Sequence, residues 1–183
     1  MTGKPQEFKF PRILTLTEDE KNKARVIGTA RCDAKSPSVR KTNSGYHEDE
    51  EDRAYPHHLG VAAEIVYASI SGKPLDERIM PGGDHVDFEG LEIKASTWPK
   101  PDIELKVKIS DYKTKFPQCY LLARVPRDLA YVEFMGCVSR DRFEKEKYEK
   151  THRADNYCME AKDLDKYIPI LNQGIWYLYP IGE

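Results

Sequence analysis

The chain has 183 residues, of which 33% are charged, yet its formal net charge is only −2. This length suffices for one domain with a sizeable core, and the balanced charge excludes a uniformly basic nucleic-acid binder, so any such surface requires local placement of charge. The four cysteines form no CxxC pair, which argues against a structural zinc site.

The chain carries no sign of a membrane segment or a leader. It has no apolar run of about 18 residues, and its N-terminus has no apolar h-region. We therefore expect a soluble, cytoplasmic protein with reduced thiols and no membrane partner.

The N-terminal part predicts one helix and a long polar loop. Two prolines favour an extended lead-in over 1–16. The run Thr17-Glu18-Asp19-Glu20 fits a capping box, which predicts a helix over about 18–33. Residues 34–56, with the acidic run 48–52, predict a long polar connection. The basic side chains of this helix form either a solvated face or a contact for backbone phosphate: Lys21, Lys23, Arg25 and Arg31.

A second helix is predicted over 57–71, before Gly72 and Pro74. Its apolar side chains form two stripes on opposite sides, which is typical of a buried helix: Leu59, Ala63, Val66 and Ile70, then Val61, Ile65 and Ala68. Glu64 lies in the middle of this helix, and glutamate is rarely buried without a partner. It either lies at the helix edge in a salt bridge or points towards the acids of the next segment.

That next segment, residues 83–96, predicts a β-hairpin. Glu89-Gly90 fits the centre of a two-residue turn, in which glycine supplies a positive φ. The register then pairs Phe88 with Leu91, Asp87 with Glu92, Val86 with Ile93 and His85 with Lys94. Because side chains alternate across a strand, the apolar ones share one face, whereas Asp87, Glu92 and Lys94 share the other. Facing carboxylates destabilise a sheet, and a hard cation such as Mg²⁺ between them would remove the conflict.

The remainder of the chain predicts several more strands and a short helix. We expect a strand over 103–109, a loop over 110–118, a buried strand over 119–125 and a strand over 130–138. A helix capped by Ser139 should follow and run to about 150. After it we expect a polar loop over 151–160, a helical segment over 163–172, and an edge strand or packing tail over 175–179. This order predicts an α/β or α+β fold with a mixed central sheet flanked by helices.

Three segments together resemble the PD-(D/E)XK nuclease superfamily, in particular its small phage-type and Holliday-junction-resolvase-like members. They are Gly-Val-Ala-Ala-Glu at 60–64, Gly-Gly-Asp-His-Val-Asp-Phe at 82–88 and Glu-Ile-Lys-Ala-Ser at 92–96. The resemblance covers roughly residues 57–138 and implies a restriction-endonuclease-like core. It implies one nuclease domain over 1–183: an N-terminal helix and polar loop (1–56), a catalytic core (57–138) and a C-terminal helical and strand extension (139–183).

The resemblance also implies roles for individual residues. Asp87 and Glu92 would be metal ligands, Lys94 the catalytic lysine and Glu64 an accessory metal-site acid, with Mg²⁺ as the cofactor and Mn²⁺ as a substitute. The proline that the family places before its aspartate is Val86 here. Asp84 competes with Asp87 for the aspartate role, and the hairpin register favours Asp87.

The expected activity is that of a Mg²⁺-dependent DNA endonuclease, which hydrolyses phosphodiester bonds. A non-catalytic nucleic-acid-binding module on the same fold is the alternative, and a protein in which the charged hairpin is incidental is a third reading. A homodimer and a virus- or mobile-element-encoded origin are compatible with the resemblance. Residues expected to contact nucleic acid are His85, Ser96, Thr97, Lys100, Lys113 and Lys115.

Overall fold

The fold is built around a mixed β-sheet flanked by helices. The computed structural model describes residues 4–5, 7–34, 50–79, 86–99, 101–150 and 155–182. The helices are α1 (Glu18–Ala34), α2 (Glu50–Ser71), α3 (Ile109–Thr114) and α4 (Arg140–Glu146). The strands are β1 (Lys4–Pro5), β2 (Ile13–Thr15), β3 (Leu91–Ser96), β4 (Glu104–Lys108), β5 (Cys119–Arg124), β6 (Tyr131–Ser139), β7 (Tyr148–Lys150), β8 (Asn156–Glu160), β9 (Tyr167–Asn172) and β10 (Ile175–Pro180). The α+β class with a mixed sheet is as predicted.

The central sheet has the strand order β2-β6-β5-β3. β3 pairs with β5 in parallel, whereas β5–β6 and β6–β2 are antiparallel. Leu121 and Ala123 on one face of β5 pack with the helices, and Tyr120 and Leu122 on the other face pack in a second apolar cluster with β4 and β8. β5 is therefore an interior strand covered on both faces, as its continuous apolar sequence predicts. β3 lies at the edge of this sheet among the described strands.

Two further sheets surround the central one. Their strand orders are β4-β8-β7 and β1-β10-β9. The first covers the face of the central sheet that lies opposite the helices, through Leu105, Val107 and Met159. The second contributes Ile168 and Ile170 to the larger apolar cluster, which also contains side chains of α1, α2 and the central sheet.

The two long helices pack closely on each other. The capping box at the start of α1 is confirmed, because Glu20 accepts a bond from the Thr17 backbone N–H at 2.8 Å and Thr17 Oγ1 accepts one from the Glu20 backbone N–H at 3.3 Å. At the crossing, a Cβ on Gly28 would lie 2.6 Å from His58 Cδ2, so only glycine permits this approach. On the basic face of α1, Lys21 and Lys23 form ion pairs with Glu18 and Glu77, and a contact with backbone phosphate stays a prediction.

The burial of α2 is also confirmed, although its start is not. Leu59, Val61, Ala63, Ile65 and Val66 are all buried, as expected of a helix that is apolar nearly all round. The helix begins at Glu50 and contains Pro56, so the predicted polar connection over 34–56 is wrong in its last seven residues. No helix among the described residues is long and apolar enough to span a membrane.

The C-terminal third contains the largest errors of the sequence-based prediction. Residues 163–172 were expected to be helical, but Ala161–Asp163 forms a single 3₁₀ turn and β9 follows. The missed signal is the two-residue turn Gln173-Gly174, with φ angles of 48° and 75°, which joins β9 to β10 as a hairpin. β10 consequently lies between β1 and β9, not at an edge of that sheet.

Smaller corrections concern the segments on either side of the central strands. Residues 156–160 were expected in a loop but form β8, because they pair with β4, whose residues lie 48 to 56 positions earlier in the chain. The predicted loop over 110–118 contains the short helix α3. The helix capped by Ser139 is confirmed at its start, where Ser139 Oγ accepts a bond from the Arg142 N–H, but it ends at Glu146 and β7 follows.

Candidate active site at the edge of the central sheet

The turn before β3 forms as predicted, but the hairpin does not continue beyond it. Phe88 N donates to Leu91 O at 3.1 Å and Leu91 N donates to Phe88 O at 2.9 Å, with Gly90 at a φ of 71°. Among the described residues no second pair extends this ladder. Instead the side chain of Asp87 turns inward, and its Oδ2 accepts a bond from the Ile93 N–H at 2.7 Å. The predicted Val86–Ile93 pair is therefore replaced by a carboxylate on the free edge of β3.

Glu92 is the most buried acid of this site, with only 2% of its surface exposed. Its Oε1 accepts bonds from the ammonium groups of Lys94 at 2.7 Å and Lys115 at 2.9 Å. Its Oε2 is also buried, and no group in the described part of the chain donates to it. A buried carboxylate oxygen without a donor is costly, so this atom marks a place where a further cation or donor would be stabilising.

Asp87 is in electrostatic conflict with its surroundings. Burial raises the pKa of its carboxyl group well above the ordinary value, and the negative charges of Glu92 and Glu64 raise it further. The ammonium of Lys94 and the Ile93 N–H act in the opposite direction without cancelling these effects. The predicted conflict between Asp87 and Glu92 is thus present, although the two residues are not a regular cross-strand pair.

Glu64 approaches the same site from α2, but its oxygens are already occupied. It is buried, and both Oε1 and Oε2 accept bonds from Arg31 Nη1, at 2.8 and 2.9 Å. Arg31 Nη2 donates in addition to the carbonyl of Asp76 at 2.6 Å. Burial raises the pKa of Glu64, Arg31 lowers it, and Glu92 raises it again. Glu64 therefore forms the salt bridge of the first alternative, and its pKa is also raised by the acid cluster towards which the second alternative directs it.

Lys94 is held as a charged donor. Burial lowers its pKa, but the negative charges of Glu92 and Asp87 outweigh that effect and leave the pKa above its ordinary value. Asp111 Oδ2 lies 3.6 Å from its Nζ on the solvent side. A lysine acts as a general base only when its pKa is lowered towards neutrality. In this environment Lys94 is suited to neutralise negative charge and not to remove a proton.

Four of the residues predicted to contact nucleic acid lie in the part of the chain that the structure describes, and they stand on different elements. Ser96 and Thr97 lie at the far end of β3, at least four residues beyond Glu92, which corresponds to about 13 Å or more along a strand. Lys113 is exposed on α3. Lys115 points instead into the acid cluster, onto Glu92. His85 and Lys100 lie outside the described residues, as does the competing Asp84.

Two functional candidates were missed or misassigned from the sequence. Arg31 was treated as part of a basic helix face, but it lies seven residues after Ala24 and four after Ile27, so it continues the buried stripe of α1. Its position at the end of that stripe was the available signal. No local pattern indicates the contact of Lys115 with Glu92, because the two residues are 23 positions apart.

The acids fit a divalent cation only in part. Asp87 and Glu92 provide the hard oxygen ligands that Mg²⁺ prefers, and the unpaired Oε2 of Glu92 is free to accept one. Within the described ranges, however, no group of three or more His, Cys, Asp or Glu side chains is arranged to hold a metal ion together. Glu64 would join the other two acids only after release from Arg31. Asp87 and Glu92 therefore remain the candidate ligands, and the part of Glu64 in a metal site of three acids stays a prediction.

The edge of β3 thus combines carboxylates, a carboxylate oxygen without a donor and the side chains of two lysines, a combination suited to binding a cation and a phosphate. Comparison with known proteins gives no further information: no protein-family model, no curated protein and no solved structure matches the chain.

Proposed function

We propose that this protein is a Mg²⁺-dependent deoxyribonuclease, an endonuclease that hydrolyses phosphodiester bonds at the edge of β3. The observation that carries the proposal is the buried Glu92 Oε2 without a donor, beside Asp87, whose negative charge is opposed by its surroundings. A divalent cation bound there would relieve both sources of instability at once.

Each residue of the site would then have a separate role. Asp87 and Glu92 would hold the ion, which when bound supplies a nucleophilic water and polarises the phosphoryl group. Lys94, protonated and next to Glu92, would donate to a phosphate oxygen and neutralise the charge that develops on it. Lys115 brings a second ammonium to the same carboxylate. Glu64 and Arg31 would act as an ion pair that holds α2 against α1.

A second candidate function is a nucleic-acid-binding module that does not cleave. One observation favours it: Glu64 is paired with Arg31, and Glu92 Oε1 with Lys94 and Lys115. These ion pairs compensate much of the negative charge within the protein, which lowers the need for a bound ion. Titration calorimetry with Mn²⁺ separates the two functions. Retained DNA binding without any uptake of Mn²⁺ would favour the module.

The nuclease proposal is tested by a cleavage panel of supercoiled, linear, single-stranded and four-way-junction DNA with Mg²⁺ or Mn²⁺. We expect Lys94→Ala to lose about 10²–10³-fold in rate, the usual effect of removing a group that stabilises developing charge. Lys162→Ala is the matched control, because the side chain of this lysine is 72% exposed and pairs with Glu160, outside the acid cluster. Thermal melting of both variants shows whether each is folded.

Two results would contradict the nuclease assignment. One is the absence of cleavage of every substrate by the wild-type chain with either metal. The other is a folded Lys94→Ala variant that cleaves as fast as the wild type and the Lys162→Ala control.

A further inference from the structure

An open groove of about 600 Å³ lies beside the candidate active site, and its lining includes none of Asp87, Glu92 and Lys94. It runs between the segment that leads into β5, the start of α4 and the β9–β10 turn. Its lining combines aromatic, amide and charged side chains, among them Phe116, Gln118, Arg140, Asp141 and Trp176.

Phe116 is the unusual member of this groove, since 73% of its surface is exposed. The residue is nevertheless firmly supported. The guanidinium of Arg140 lies 5.0 Å from the centre of its ring. Arg140 is itself fixed, because it donates to the carbonyls of Lys115 and Tyr112, both at 2.8 Å. The ring is therefore presented to solvent by a rigid base, which lowers the entropy cost of stacking a ligand on it.

The floor of the groove supplies hydrogen-bonding groups at fixed positions. Trp176 Nε1 donates to Gln118 Oε1 at 2.8 Å, which uses the amide oxygen and leaves the amide nitrogen as a donor. Asp141, exposed on the first turn of α4, adds an acceptor. A flat ring with donors and acceptors on its edge finds complementary groups here.

The groove is directly connected to the candidate active site at two points. The backbone N–H of Gln118 donates to the carbonyl of Gly90, the glycine of the turn before β3, at 2.8 Å. A Cβ on Gly90 would lie 3.2 Å from the ring of Trp176, so the turn and the groove are in contact. Lys115, the residue before Phe116, places its ammonium 2.9 Å from Glu92 Oε1. The lining of the groove therefore contacts the turn two residues before Glu92, and the residue next to Phe116 reaches Glu92 itself.

We propose that this groove is a subsite for one unpaired nucleobase, which stacks on Phe116 while the adjoining phosphate lies near Lys115. The proposal rests on the nuclease function and narrows its substrate class to single strands, flaps or frayed ends. A paired base in a continuous duplex cannot leave its stack to reach the ring without a cost in unpairing. Base–aromatic stacking of this kind tolerates all four bases, so we expect little sequence preference.

The test measures DNA binding in the absence of divalent ions, where cleavage is not required. The probe is a fluorescently labelled oligothymidylate, compared by anisotropy with a blunt duplex of the same length. We expect Phe116→Ala to weaken binding of the single strand about tenfold, within the range that stacking of one base supplies. Phe116→Tyr should retain the affinity, because it keeps the aromatic face. Phe8→Ala is the matched control, since Phe8 is 62% exposed and lies on a different part of the chain.

The outcomes distinguish this proposal from the one on which it rests. Loss of single-strand affinity in Phe116→Ala alone supports the subsite, even if no cleavage is ever found and the nuclease function fails. Unchanged affinity in Phe116→Ala, no binding of the single strand by the wild type, or an equal loss for duplex and single strand would overturn it. In those cases cleavage by the wild type and its loss in Lys94→Ala would still support the nuclease.

Discussion

The ion pair between Arg31 and Glu64 offers the sharpest test of how the charges of this site are compensated. Both Glu64 oxygens lie within 2.9 Å of Arg31 Nη1. The side chain of Glu64 is 7% exposed and that of Arg31 is 22% exposed. Replacing Arg31 by methionine keeps most of the apolar stem but removes the guanidinium. It leaves a carboxylate in the middle of α2 with the negative charge of Glu92 nearby.

The expected cost follows from this burial. Removing one partner of a buried ion pair costs about 3–5 kcal/mol, because the remaining charge is left without compensation. Arg31 is partly accessible, so water can replace some of its contact and we take the lower end, about 3 kcal/mol. For a chain of this size that corresponds to a fall in Tm of roughly 6–12 °C.

The effect should also depend on pH. The pKa of Glu64 already lies above its ordinary value, and Arg31 is the strongest influence that lowers it. In Arg31→Met the folded state therefore binds more protons than the unfolded state between the ordinary and the raised pKa, and stability falls as the pH rises through that window. We expect the destabilisation to be largest at about pH 8 and smaller at about pH 5, where Glu64 is increasingly protonated.

Chemical denaturation of the two single variants and the double variant measures the coupling. The double variant Arg31→Met/Glu64→Met replaces the pair by apolar side chains of similar volume, and such replacements are often neutral or stabilising. We expect it to recover most of the stability lost in Arg31→Met. A cost below about 1 kcal/mol for Arg31→Met, or a double variant no more stable than the single one, would refute the reasoning that the pair is desolvated.

Two further predictions concern the acid cluster and the central sheet. Asp87→Asn removes a negative charge that is repelled by the carboxylates of Glu92 and Glu64. The amide oxygen of the asparagine can still accept a hydrogen bond from the Ile93 N–H. The raised pKa of Asp87 makes the wild type less stable as the pH rises. In metal-free buffer the Tm of Asp87→Asn should therefore exceed that of the wild type at about pH 8, and by less at about pH 5. An unchanged Tm at both pH values would contradict this. Gly136→Ala should cost about 2 kcal/mol or more by denaturation, since Gly136 has a φ of 138° and a Cβ would lie 2.7 Å from the Asp165 carbonyl; a loss below 0.5 kcal/mol would be inconsistent with that contact.

Local patterns predicted those parts of the fold whose cause lies within a few residues. The capping box at Thr17 and the turn at Glu89-Gly90 are examples, because each depends on short-range hydrogen bonds and on the permitted φ of glycine. The continuous apolar run of β5 predicted an interior strand for the same kind of reason. Strands β8 and β9 were missed, since their structure depends on a partner strand, and only β9 carried a local turn signal.

The candidate site shows the same division. The sequence alone predicted that α2 is buried around Glu64. It also predicted that Glu92 and Lys94 share one face of a strand next to Asp87. Both predictions rest on the helical and strand periods, which fix the side chains that lie on the same side of an element. The partners of these groups were decided only by the tertiary structure. Arg31 reaches Glu64 across 33 positions because α1 packs closely on α2. Lys115 reaches Glu92 because it leads into β5, which pairs with β3. Compensation of buried charge depends on distances of a few ångströms between distant segments, which no local period determines.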